Sequence, residues 1–163
     1  MDRWIVSATQ TLIKHFRKEM DCYKLYKVVT PLLTYLEELT NWYVKLNRTK
    51  RMKGDLGKEE QFTSLSILFD CILSITTLMG CLTPFLSEHI YQNLRNGIDT
   101  NDKDLYQESV HFLQIPNADE SLMDPVIERK FSRMQSVIRL GRLIRERNTI
   151  KANTPLSKVT VVD

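Results

Sequence analysis

Only three cysteines occur, Cys22, Cys71 and Cys81, an odd set with no Cys-x-x-Cys spacing. That excludes a disulfide framework and a cysteine zinc site, and it fits a reducing compartment. Cys71 and Cys81 lie in apolar sequence and read as small buried hydrophobes. Histidine is equally scarce. His15, His89 and His111 stand far apart, and none joins a metal-ligand spacing, so no metal site is expected. The few glycines build neither a phosphate loop nor a Gly-x-Gly-x-x-Gly turn, and there is no Gly-x-Ser-x-Gly elbow. The acid pairs Glu37–Glu38 and Glu59–Glu60 are sequence neighbours and point to different helix faces, which suits solvated surface better than acid/base chemistry. No catalytic residue and no cofactor is therefore expected within this chain.

Membrane and secretory signals are also missing. The opening "MDRWIVSATQ" lacks the regions of a signal peptide. The apolar stretch 64–87 resembles a membrane span until Asp70, Pro84 and its hydroxyls are counted, and these favour a bundle helix without a membrane partner. Net charge is only +3 over 163 residues. Such a molecule is no polycation, so binding to a polyanion requires its bases to be unevenly placed.

What is present is helical periodicity. Leu25, Val29, Leu32, Leu36, Leu39, Tyr43 and Leu46 alternate steps of four and three; so do Leu65, Leu68, Ile72, Ile75, Met79 and Leu82. Ile127, Phe131, Met134, Ile138 and Gly141 repeat the pattern, and Trp4, Ala8, Leu12, Phe16 and Met20 recur every four. Each row lays an apolar stripe along one helix face, which predicts an all-α, antiparallel bundle of about five helices over residues 1–150. Gly141 within its stripe predicts close approach of another backbone. Asp2, Thr83 and Asp124 are expected N-caps, the last two followed by Pro84 and Pro125. Pro31 predicts either a kink or a helix restarting at Thr30. In "SVHFLQIPN" the alternation of Val110, Phe112 and Ile115 predicts a short extended connector. The closing "TPLSKVTVVD" predicts a C-terminal strand. A single strand has no partner here, so residues 151–163 are expected to lead into the rest of a longer protein.

Charge is the remaining signal. "NWYVKLNRTKRMKG" carries Lys45, Arg48, Lys50, Arg51 and Lys53, with no acid between Glu38 and Asp55. One or two bases at a helix C-terminus answer the macrodipole; five exceed that need and predict a polyanion contact. A second basic run holds Arg139, Arg142 and Arg145, the first two off the apolar stripe. Two arginine-rich helices favour an extended phosphate backbone over a small anion. Tyr43 lies on the core stripe. Trp42 is at its edge, where core packing and base stacking both remain readings.

"DRWIVSATQTLI", "LTNWYVKLNRTKRMKG", "MGCLTPFLSEHIYQNL" and "SVHFLQIP", in that order, resemble the anticodon-binding helical bundle of class Ia aminoacyl-tRNA synthetases. "NWYVKLNR" and "MQSVIRLGRLIRERNTIKANTPLSKVTVV" look most like the isoleucyl type of the eukaryotic cytosol, with the valyl type as the near alternative. The resemblance implies a module that holds the anticodon stem-loop of tRNA(Ile). It also implies an ATP- and Mg-dependent catalytic domain in the same parent chain, and a cytoplasmic location. It would place RNA contacts on the basic surfaces, including Lys45, Arg48, Lys50, Arg51 and Lys53, and, less directly, Arg139, Arg142 and Arg145. The rival from another class is a helical protein–protein scaffold whose basic ends serve solubility or an acidic partner.

Overall fold

A computed structural model describes residues 1–151 and 153–161. The architecture is all-α, with five main helices and no strand among the described residues. The helices are α1 (Asp2–Asp21), α2 (Tyr26–Glu38), α3 (Lys58–Met79), α4 (Pro84–Leu94) and α5 (Pro125–Arg147). The chain divides into two compact units, Met1–Met123 and Asp124–Asp163.

In the first unit α1 packs against both α2 and α3. Two neighbours widen its apolar stripe: Trp4, Leu12 and Phe16 are buried with Ala8 half-buried between the first two, and Ile5 and Ile13 join them. Between the helices Thr9 and Tyr35 share a hydrogen bond, and the Thr9 hydroxyl also reaches Cys71 Sγ at 3.4 Å. Burial in this apolar layer pushes both the Tyr35 phenol and the Cys71 thiol up. Cys81, expected to be buried like Cys71, is exposed, because the chain turns there between α3 and α4.

The core face of α2 is displaced from the expected one. Val28, Leu32, Tyr35, Leu39 and Tyr43 are buried, whereas Leu25, Val29 and Leu46 face solvent. Beyond Leu39 the reason lies at Leu39–Val44, which winds as a π-helix before the short α-helical turn Lys45–Asn47. There the Lys45 N–H reaches back to the Thr40 carbonyl. Closing i→i+5 bonds widens each turn, so Leu39, Tyr43 and Asn47, four apart, stay on one face. Pro31 lies inside a continuous α2, without a restart at Thr30. A proline leaves the carbonyl four residues earlier without its helical donor. Here that carbonyl, Lys27, pairs with His15 Nε2 at 3.3 Å.

The third helix, α3, serves two layers. Ser64, Cys71, Ile75 and Leu78 form a buried row at roughly helical spacing. Leu73 lies on the opposite side in a second core cluster with Tyr91 of α4 and Val110, flanked by Phe69 and Leu94. By length and composition alone this helix is also long and apolar enough to cross a membrane. Thr83 and Pro84 open α4 as expected. The connector differs from expectation: Val110–Phe112 is a 3-10 turn, not an extended run. Glu88 of α4 imposes that turn, accepting from Ser109 Oγ at 2.7 Å and from the Val110 N–H at 3.0 Å. The chain then returns along α1, where Arg17 Nη1 donates to the Ile115 carbonyl at 2.7 Å and Lys14 pairs with Glu120 at 2.6 Å.

In the second unit Asp124 caps α5, its carboxylate accepting from the Val126 and Ile127 N–H groups. Among the described residues of this unit, a Cβ added at Gly141 would find nothing within 4 Å. The expected close approach is therefore not found within the described residues of this unit. Gly141→Ala should accordingly raise stability by about 0.5–1 kcal/mol through helix propensity alone. A denaturant midpoint unchanged or lowered in that variant would contradict this. Residues 158–161 form no strand, and among the described residues no neighbouring strand occurs to accept a ladder. Val162 and Asp163 of the expected strand lie outside the described residues.

Candidate nucleic-acid interface

The basic segment after α2 continues in helical turns, with the Arg48 N–H bonded to the Val44 carbonyl and the Arg51 N–H to that of Asn47. It closes over Gly54 and Gly57, both in the left-handed region that glycine tolerates. Lys45, Arg48, Lys50 and Lys53 are all exposed on this tip. No ion pair or side-chain hydrogen bond to another residue engages them among the described residues. Four free cations on one short segment make a strong local positive field, whatever the net charge of the chain.

Arg51 is different, and here the sequence expectation is corrected. Its guanidinium turns inward and forks onto Asp2, Nη1–Oδ1 at 2.6 Å and Nη2–Oδ2 at 2.7 Å. Nε donates to Glu60 Oε2 at 2.9 Å, and Nη1 also reaches Asn47 Oδ1 at 3.3 Å. The Arg51 side chain is only 17% exposed. Four of its five N–H directions are thus spent inside the protein, and a fork of this kind is strong and directional. The pair holds the Asp2 carboxyl below the usual carboxylate range, chiefly through Arg51's hydrogen bonds. The Tyr43 phenol, raised first by burial and then by Asp2's charge, donates to Asp2 Oδ1 at 3.2 Å. Asp2 was expected to cap α1; instead Met1 is the N-cap and Asp2 is the anchor of the tip. Arg51 thereby ties the first turns of α1 and α3 to the basic segment.

Trp42 is half-buried beside the fully buried Tyr43. In the second unit Arg139 and Arg142 are exposed, as their place off the stripe implied. Arg145 is not free. Its Nη1 donates to the Lys151 and Thr154 carbonyls at 3.0 and 2.9 Å, securing the chain that leaves α5. No group of acids, cysteines and histidines that could hold a metal occurs among the described residues.

Sequence reasoning missed the Asp2–Arg51 pair because its partners lie 49 positions apart. A signal existed: Tyr43, Asn47 and Arg51 recur every four residues, which places Arg51 on the buried face once the helix is wound wide.

An all-α frame carrying an exposed cationic tip suits a polyanion-binding module. Comparison with known families agrees. The model of the anticodon-binding domain of tRNA ligase matches residues 2–161, and the chain belongs to this family. It is 48% identical to the isoleucine–tRNA ligase of Tetrahymena thermophila, over 99% of this chain and 15% of that protein. Identity to the cytoplasmic isoleucine–tRNA ligase of Mus musculus is 46%, over 99% of this chain and 13% of the relative. For the Saccharomyces cerevisiae cytoplasmic enzyme it is 44%, over 99% and 15%. The chain therefore spans about one-seventh of the length of these relatives.

Proposed function

We propose that this chain is the part of a cytoplasmic isoleucine–tRNA ligase that holds the anticodon stem-loop of tRNA(Ile). Activation of isoleucine, with ATP and Mg, then falls to a catalytic domain elsewhere in the same protein. The observation that carries this reading is the unpaired tip of Lys45, Arg48, Lys50 and Lys53, on a member of an anticodon-binding family. Arg139 and Arg142 supply further phosphate contacts. Arg51 and Arg145, engaged internally, position backbone instead. The isoleucine relatives named above favour the isoleucyl type over the valyl one.

The test is a titration of the 163-residue chain with tRNA(Ile) transcript at several salt concentrations. Phosphate-mediated binding makes log Kd rise linearly with log salt, by about 0.7–0.9 per contact. Unrelated tRNA should compete weakly. Absence of binding, or binding indifferent to salt, would favour a protein–protein scaffold.

A further inference from the structure

At the end of α1 the chain turns through Asp21–Leu25 into α2. The Lys24 N–H bonds to the Glu19 carbonyl at 2.8 Å, and the Tyr23 N–H to that of Met20 at 2.9 Å. This nested pair is a Schellman cap, whose left-handed position is usually glycine because a Cβ crowds the backbone there. The residue in that position is Tyr23, at φ 56°. A tyrosine here strains the backbone, and its ring recovers nothing by packing, being 91% exposed. Three residues on, Tyr26 opens α2 and is 74% exposed. In sequence Lys24 follows Tyr23 and Lys27 follows Tyr26; both lysines are exposed, Lys27 lying 4.0 Å from Glu19.

Register places this turn far from the basic tip. Asp2 of α1 meets Arg51, and Thr9 meets Tyr35 and Cys71, whereas His15 meets Lys27 near the start of α2. The tip and the turn thus lie at opposite ends of α1, about 30 Å apart for a 20-residue helix.

We infer that Tyr23 and Tyr26, flanked by Lys24 and Lys27, form a stacking site for unpaired nucleobases of an RNA loop. RNA proteins take splayed bases on exposed aromatic faces, with nearby cations on the adjoining backbone. The inference rests on the tRNA reading above and assigns a division of labour. The cationic tip grips phosphate without regard to base pairing, and the tyrosine turn takes bases that a duplex cannot offer.

The experiment compares the chain's affinity for a synthetic RNA stem-loop with that for an uninterrupted duplex of the same stem. Tyr23→Ala with Tyr26→Ala should weaken stem-loop binding by about 30-fold or more, from two stacked bases. Duplex binding should stay within about twofold, and the salt slope for either RNA should not change, because no phosphate contact is lost. Tyr23→Gly gives an independent check: melting should rise by about 2–4 °C as the strain is relieved, while stem-loop affinity falls. Equal losses on both RNAs, or stem-loop binding at parental strength, would overturn the stacking site and leave the tRNA reading intact. A parent chain that binds neither RNA would remove both.

Discussion

Replacing Lys45, Arg48, Lys50 and Lys53 together by glutamate should weaken tRNA binding by at least about a hundredfold at physiological salt. Each charge-assisted phosphate contact contributes on the order of 1 kcal/mol, and reversal adds repulsion to the loss. The salt slope should fall by about 3, which is four contacts at 0.7–0.9 each. Folding should be nearly untouched, since all four side chains are exposed and none is paired among the described residues. Substitutions of that kind usually stay within about 0.5 kcal/mol. The variant would lose affinity for every tRNA alike, because phosphate contacts position RNA without reading it. Filter binding at three or four salt concentrations, with a melting curve beside it, gives both quantities. Parental affinity and slope would move the principal contact away from this tip, with Arg139 and Arg142 as the next pair to replace.

The all-α class, the proline-marked starts of α4 and α5 and the burial of Tyr43 were legible from spacing alone, because those features depend on neighbours in sequence. The core face beyond Leu39 was not. A heptad reading assumes a constant turn, and the π-wound segment Leu39–Val44 breaks that constancy. Its consequence runs from backbone to function. The stripe rotates, Leu46 becomes exposed, and Arg51 swings from the solvent face toward Asp2. Likewise the free cations of the tip were legible as a composition. Which of the five bases is committed inward depended on a partner 49 residues away. Gly141 failed for the opposite reason: a stripe position predicts proximity only if something faces it, and among the described residues of its unit nothing lies within 4 Å of its Cβ direction.

The Asp2–Arg51 fork carries the second large expectation. Arg51→Met should destabilise the chain by about 2 kcal/mol, because it strips two charge-assisted bonds from a carboxylate only 28% exposed and one more from Glu60. For a protein of this size that lowers the melting temperature by roughly 4–8 °C. Asp2→Asn should cost less, since Arg51 keeps Glu60. The double variant should lose less than the sum of the two, as contacting residues couple. The pH dependence follows from Asp2's depressed pKa, whose leading cause is the hydrogen bonding from Arg51. The folded state holds this proton less tightly than the unfolded chain, where an aspartate titrates near about 3.9. The stabilisation is therefore complete above that value and is lost as pH falls through the lower folded pKa. Parent and Asp2→Asn should differ by a constant amount between about pH 5 and 8 and converge below about pH 4. At a temperature where both are folded, Arg51→Met should bind tRNA within about twofold of the parent, since the guanidinium is engaged by Asp2, Asn47 and Glu60. A variant that melts like the parent yet binds tRNA poorly would return Arg51 to the phosphate-contacting set and make the inward fork a resting arrangement that RNA displaces.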